Sequence, residues 1–326
     1  MNRSDQLEDL ARNSVGGVTH DLILCTKDRP SDVAQCLLQV LSSSVLPQNL
    51  IVVDSSGDGR TTVVVDSVKE DFARVGCTVV YTQSKPGLPA QRNIGLDLAE
   101  SEVTHFIDDD SLVDSEYFSE ILKVFEDLGG NVAGVGGIQS NVVTVRPPLV
   151  RRFFLLSAGP GQVTKAACNS LVSSQTTNST AAGWLSGCAM SYWKELAKHE
   201  RFDESMKGYA LGEDLEFSSR MARHGLLVIQ PAAKIVHKRS EHNRLNLRRL
   251  TRDDVVNRWH FVQKHDPRFS RAAYAWSLVG MICIGLAKTS LGRFDDGVGE
   301  LLGIRDGLLE VQRFSSVSSN DVAPRT

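Results

Sequence analysis

The chain has 326 residues, 41% hydrophobic and 23% charged, enough for one large core with an appendage and unlike a disordered, collagenous or disulfide-scaffold protein. Its formal charge of -3 gives no global attraction to nucleic acid, so an anionic partner would have to be met by a local patch. The six cysteines, Cys25, Cys36, Cys77, Cys168, Cys188 and Cys283, show no C-x-x-C or zinc spacing and read as reduced, mostly buried thiols. Residues 1–17 are polar, without the apolar run of a secretory signal, and read as a flexible lead. The expected location of the active face is therefore cytoplasmic.

Val18 to Cys25 reads as a first buried strand ending in Thr26-Lys27-Asp28-Arg29-Pro30. Ser31 is the expected cap of a helix on which Val33, Cys36, Leu37 and Val40 keep helical spacing. Leu50 to Val53 is a second strand delivering Asp54 into a Ser/Gly turn. A strand–helix–strand unit implies a parallel sheet whose ligands lie beyond the carboxyl ends of the strands, so Thr26, Asp28 and Asp54 share a rim. A helix over 61–75, a strand over 77–81 and a helix over 89–99 follow. That last helix brings Arg92 and Asn93 toward the same rim, where helix N-termini and guanidinium groups favour phosphate.

His105-Phe106-Ile107-Asp108-Asp109-Asp110 then ends an apolar strand in a row of aspartates. Adjacent carboxylates repel, and a divalent cation relieves them. Alternation in an extended segment puts Asp108 and Asp110 on one face and Asp109 on the other. A solvated strand-to-loop turn is the plainer alternative.

Residues 114–128 read as an amphipathic helix and 131–139 as a glycine-rich strand open to close approach by a sugar or simply tightly packed. Residues 146–182, with Pro147-Pro148 and a Ser/Thr/Asn-rich run, lack periodicity and read as an insertion on the acceptor side. Gly183 to Met190 returns to strand-like character, with Trp184 a core residue or a platform and Gly187 admitting close contact. Glu213 and Asp214 begin a helix that Gly225 stops, and strands over 226–229 and 235–237 end at His237. Lys234 to Arg252 is a basic run suited to diphosphate or anionic lipid headgroups. Ala272 to Ala287 is uncharged but short of the roughly 20 residues that span a bilayer, leaving a buried docking helix or an interfacial anchor. An amphipathic helix over 294–314 and a Ser-rich, disordered tail close the chain.

Taken together, Ile-Leu-Cys-Thr-Lys-Asp-Arg-Pro, Ile-Val-Val-Asp-Ser-Ser-Gly-Asp, Gln-Arg-Asn-Ile-Gly, Phe-Ile-Asp-Asp-Asp, Gly-Glu-Asp-Leu-Glu and Val-His-Lys-Arg-Ser resemble, in order and approximate spacing, the inverting nucleotide-sugar glycosyltransferases of family 2. The resemblance implies a GT-A fold: an α/β, Rossmann-like mixed sheet flanked by helices, here over 18–240, with a helical C-terminal extension over 241–326 that is a candidate for membrane association. It implies a donor site of Thr26, Asp28, Arg29, Asp54, Arg92, Asp108 and Asp109, with Asp54 at the nucleobase and Arg92 near the diphosphate. It implies Mn²⁺ or Mg²⁺ on Asp110, His237 and Asp108, an imidazole suiting Mn²⁺ better. Asp214 resembles the base that deprotonates the acceptor hydroxyl, with Glu213 beside it touching acceptor or shaping the base's surroundings; the pair could exchange these roles.

The expected reaction is single-displacement transfer of a hexosyl or deoxyhexosyl group from a UDP- or dTDP-sugar to a saccharide or lipid-linked acceptor, in polysaccharide or glycolipid assembly. Peripheral contact with the inner face of the membrane, and no nucleic acid partner, complete the expectation. Two departures from the family pattern stand out. Ser55 occupies a position where a second acid is common, and the Q-x-x-R-W motif of processive synthases is missing after Asp214, which favours single addition. Competing readings are a haloacid-dehalogenase-type phosphatase, against which Leu112 stands two residues beyond Asp110, and a catalytically silent sugar-nucleotide binding module, against which the intact acids at 108, 110 and 214 stand.

Overall fold

A computed structural model describes residues 17–143, 147–206, 210–238, 246–264 and 266–320. The expected lead over 1–17 and the boundary near 240 lie almost wholly outside these residues. The chain divides into two units. The first holds residues 1–145, 171–208 and 213–242; the second holds 146–170, 209–212 and 243–326.

The first unit is a mixed sheet with helices on both faces. In chain order it contains β1 (His20–Thr26), α1 (Pro30–Leu41), β2 (Asn49–Asp54), α2 (Arg60–Arg74), β3 (Thr78–Gln83), α3 (Leu88–Leu98), β4 (Val103–Asp108), β5 (Ser111–Val113), α4 (Tyr117–Leu128) and β6 (Val132–Gln139). The sheet order is β3-β2-β1-β4-β8-β6-β9-β5, where β8 is Ala189–Trp193 and β9 is Leu226–His237, and the short β7 (Thr180–Ala182) pairs with β9. β1, β2, β3 and β4 are mutually parallel, while β8 runs antiparallel to β4 and β6.

Burial on both faces explains why these strands read as continuous apolar runs. Leu22, Leu24, Leu50 and Val52 pack with α1, α2 and α4, whereas Ile23, Ile51, Val53 and Phe106 pack with α3, α6 (Lys194–Glu200) and α7 (Glu213–Met221). The helix expected to begin on a Ser31 cap begins two residues earlier, with Pro30 in the first turn and Arg29 at the cap position. A proline's fixed φ suits the first helical position, where its missing N–H is no loss.

Two other expectations change. The strands read at 226–229 and 235–237 are one strand, because the chain stays extended through Pro231 with a register shift opposite Gly136 to Ile138. The glycines of β6 are packing residues: a Cβ on Gly134 would lie 2.4 Å from Tyr192, leaving no approach for a sugar.

The second unit is helical: α5 (Leu149–Phe153), α8 (Leu247–Gln263), α9 (Arg271–Ser290) and α10 (Phe294–Asn320), around a core of Val255, Val262, Tyr274, Leu278 and Ile304. Residues 146–170, read above within the catalytic stretch, group with these helices. Buried Arg258 shows why: its Nη1 donates to Ala166 O at 3.2 Å and to Ser277 Oγ at 2.8 Å, and its Nε bonds Asp254 at 2.9 Å. An unpaired buried guanidinium would be costly, so these partners fix the segment. In the basic run, Arg248 pairs with Asp306, and Arg252 with Asp253 and Glu310, while residues 239–245 lie outside the described ones.

Candidate functional site

The parallel strands end together, and their ends carry the candidate site. Thr26 closes β1 beside Asp54 of β2, and Cys25 stands in register with Asp108 of β4. The chain then turns through Asp109 and Asp110 into β5, which pairs antiparallel with β9 and sets Ser111 opposite His237. This long-range pairing brings together the D-x-D turn and a histidine more than a hundred residues later.

Asp108, Asp110 and His237 each present a ligand atom, and these atoms lie within 4.8 Å of one another. His237 Nε2 sits 3.1 Å from Asp110 Oδ1. Burial pulls the imidazole's pKa down, but the bond to Asp110, with Cys188 and Asp108 adding, lifts it to about 10. Positive charge is therefore favoured where carboxylate and imidazole converge. Two carboxylates and one imidazole suit Mn²⁺, which takes nitrogen as well as oxygen, better than Mg²⁺. These residues therefore fit a divalent transition metal.

Asp109 points the other way, as alternation requires. It accepts hydrogen bonds from Thr26 Oγ1 at 2.7 Å and Arg29 Nη1 at 3.0 Å. Burial lifts its carboxyl to about 7 against the downward pull of Arg29 and Thr26. Arg29 also lies 3.8 Å from Asp110.

Arg92, expected near the diphosphate, is engaged by acids of the site itself. It is only 3% exposed, with Nη2 3.3 Å from Asp108 Oδ1 and 3.1 Å from Gly187 O, and Nη1 on Glu213. Its guanidinium lies over Phe202 at 5.3 Å. It is a strap between β4, the 187 turn and the start of α7. Its neighbour Asn93 is likewise buried, clasping the backbone of Phe202.

The acids at the start of α7 are not equivalent. Glu213 is buried on Arg92, whereas Asp214 is half-buried, with Oδ2 accepting from Gly187 N at 2.9 Å and Oδ1 from Leu215 N at 2.7 Å. Burial pushes both carboxyls above their ordinary range; Arg92 opposes this at Glu213, and the Gly187 N–H opposes it at Asp214. Gly187 sits close against the pair: a Cβ there would lie 3.0 Å from Arg92 Nη2 and 3.2 Å from Glu213 Oε1, so a larger residue would press on both side chains.

Asp54 is fully buried. Its Oδ1 accepts from Ser56 N at 2.8 Å and from Ser56 Oγ, and its Oδ2 accepts from Tyr81 OH at 2.9 Å. Ser56 Oγ also accepts from Asp28 N at 2.7 Å, holding Asp28 in its left-handed conformation. Sequence reasoning missed Ser56 and Tyr81; the signal available was a tyrosine near the end of the strand beside β2. Trp184, left open between core and platform, is buried. A second group, His199, Glu200 and His224, is tied by Arg220 to Glu200 and lies apart from this rim in the chain's elements.

The sequence profile described as Glycosyl transferase family 2 matches residues 21–188, more than half of the chain. The chain belongs to that family. The transferase is similar in structure to mannosyltransferase PcManGT from Pyrobaculum calidifontis, solved in complex with GDP-Man and Mn²⁺, at 14% identity and TM-score 0.58, covering 94% of each chain. It is also similar to S. aureus TarS 1-349 at 14% identity and TM-score 0.51, covering 88% of this chain and 80% of that one. GalNAc-T7, solved with UDP, GalNAc and Mn²⁺, is similar at 13% identity and TM-score 0.51 over 85% of the transferase, which spans 58% of the GalNAc-T7 chain. At these identities the likeness shows the fold, a GT-A arrangement of mixed sheet and helices. Comparison with curated sequences finds no match. Family and fold set aside the phosphatase reading of the D-x-D strand.

Proposed function

We propose that the transferase moves a sugar from a nucleoside-diphosphate donor to an acceptor hydroxyl in one displacement that inverts the anomeric centre. The observation that carries this is the separation of two acidic groups with different partners: Asp108 and Asp110 with His237, and half-buried Asp214 on the Gly187 turn.

Asp110, His237 and Asp108 would hold Mn²⁺ or Mg²⁺, which when bound supplies positive charge to the departing diphosphate. Metals named with PcManGT and GalNAc-T7 agree with such a group. Arg29, reaching Asp109 and Asp110 from the β1 end, is the guanidinium on the donor side. Asp214 takes the acceptor's proton at a carboxylate oxygen as that hydroxyl attacks. Burial raises its affinity for the proton, which makes it a better base than an exposed aspartate. Glu213, neutralised by Arg92, orients the turn that carries Asp214. One displacement leaves the anomeric carbon inverted with no sugar attached to the protein.

The donor reading is a UDP- or dTDP-sugar. The imide N–H of uracil or thymine matches a carboxylate acceptor at Asp54, where it would compete with the Tyr81 hydroxyl already there. The acceptor reading is a saccharide, free or lipid-linked, in polysaccharide or glycolipid assembly. Screening UDP-, dTDP- and GDP-sugars for metal-dependent hydrolysis tests the donor. Titration calorimetry with nucleoside diphosphate and Mn²⁺ tests the site: Asp110→Asn should abolish metal-dependent binding, while Asp214→Asn should bind normally and transfer nothing. Normal turnover by Asp214→Asn would remove the base from this scheme.

A further inference from the structure

The helix α9 is long and apolar enough to cross a membrane by length and composition, yet only 28% of its apolar window is buried. Its buried face, Ala273, Tyr274, Ser277 and Leu278, belongs to the core of the helical unit. Tyr274 OH donates to Val255 O of α8 at 3.0 Å, and Ser277 Oγ accepts from Arg258 at 2.8 Å. Crossing a bilayer would strip α9 of these partners, so its apolar character serves something other than a span.

The opposite face is open. Trp276, Val279, Ile282 and Leu286 are all exposed, at spacings that keep them on one side of the helix. The short α5 extends the same surface: Leu149 is 80% and Phe153 64% exposed. Trp276 Nε1 donates to Phe153 O at 2.9 Å, and its ring lies 5.2 Å from Phe153 and 5.0 Å from Phe154, so the patch is continuous across both helices. Every charge on α5 and α9 is positive: Arg151 and Arg152 on one, Arg271 and Lys288 at the ends of the other. Lys288 is paired with Glu300, but no ion pair involves Arg151, Arg152 or Arg271 among the described residues.

We propose that this face of α5 and α9 seats on the surface of a bilayer rich in anionic headgroups, with the apolar side chains in the headgroup–acyl boundary and the arginines at its rim. A helix lying in the interface combines an apolar stripe with nearby cations and tryptophan, and α5 and α9 carry all three, with Arg271 also bonding Gln263 Oε1 at 3.1 Å and Arg151 bonding Leu156 O at 3.3 Å. A second copy of the chain fits less well. A two-fold contact through this patch would set arginines of one copy against those of the other with no acid on either helix to answer them. The inference stands apart from the donor chemistry and involves only the helical unit.

Flotation with phosphatidylcholine vesicles, alone or doped with phosphatidylglycerol, tests it. Full-length protein should float with the anionic vesicles, stay down with phosphatidylcholine alone, and lose binding as salt rises to screen the cations. The triple variant Phe153→Ser, Ile282→Ser, Leu286→Ser should bind about ten-fold or more weakly, since it removes exposed apolar area. Arg152→Glu with Arg271→Glu should lose the preference for anionic lipid. Circular dichroism and hydrogen-exchange protection of α8 check that the helical unit of each variant is folded. Protein that remains at the bottom with both vesicle types, or a triple variant that floats like the parent, overturns the proposal. So does a wild-type dimer that the triple substitution makes monomeric while vesicle binding stays nil.

Discussion

Arg92 illustrates how one side chain joins groups that act at different moments. Buried among Phe106, Phe202 and the acids, it holds Asp108 on β4 and Glu213 on α7 with separate nitrogens. A lysine offers one point charge and cannot span both partners. Arg92→Lys is therefore expected to leave nucleoside diphosphate affinity within about three-fold while lowering kcat by about ten- to a hundred-fold, because the geometry between the two acids slackens. A diphosphate contact would show the reverse, a weakened affinity with kcat largely kept, and calorimetry beside steady-state kinetics separates the two. Arg92→Ala should cost about 3–5 kcal/mol of stability by stranding buried Glu213. The pH profile follows from the same carboxyls. Asp214 must be ionised to accept a proton, and burial raises its pKa, so activity should be lost on acidification at a pH above the ordinary carboxylate value of about 4. An acid limb at or below that value would remove the claim that burial tunes the base.

At the scale of elements, the strands of the sheet carry a titration of their own. His20 of β1 and His105 of β4 are buried side by side, with His105 Nε2 3.0 Å from His20 Nδ1 and His105 Nδ1 2.7 Å from Ser191 Oγ of β8. Burial lowers His20 from 6.5 to about 4, and burial with the His20 neighbour holds His105 well below its usual range. With both folded values depressed, the unfolded chain takes up protons first. The stability they contribute is present in full above 6.5 and is lost as the pH falls toward 4. At about pH 5 the loss is about 2 kcal/mol for a ring shifted this far. Denaturant unfolding at several pH values should show that slope, and His105→Asn, whatever it costs at neutral pH, should flatten it. An unchanged slope in the variant would place the acid sensitivity elsewhere.

These elements also show what a sequence can and cannot carry. The apolar runs ending in Thr26, Asp54 and Asp108 were legible because strand ends in a parallel sheet share a rim, and alternation separated Asp109 from its neighbours. The pairing of β5 with β9 that presents His237 to Asp110 was legible only through the family resemblance, since register between distant strands leaves no local periodicity. Nor could the pattern of α3 show that Arg92 faces inward, because a rim-facing and a buried arginine look alike until the helix is docked. Residues 146–170 read as an unpatterned insertion because their structure comes from partners such as Arg258, almost a hundred residues away.

At the scale of the whole molecule, the two units have separate cores, and Arg258 is the hinge pin of the helical one. It is 3% exposed and joins α8, α9 and the 164–168 turn through Asp254, Ser277 and Ala166, with its guanidinium 5.4 Å from the Tyr274 ring centre. Its partners all belong to the second unit. Arg258→Ala removes the donor to Ser277 Oγ and Ala166 O but leaves Asp254, whose side chain is 37% exposed, able to turn to water. A cost of about 3 kcal/mol is expected, nearer the lower end for breaking a buried pair because only one partner is stranded. Hydrogen exchange should therefore quicken in peptides covering α8, α9 and 147–170, while β1, β2 and β4 keep their protection. Metal-dependent binding of nucleoside diphosphate, which draws on the first unit alone, should persist. Equal loss of protection across β1, β2 and β4 would show instead that the two cores unfold as one, and that the helical unit stabilises the sheet that carries the acids.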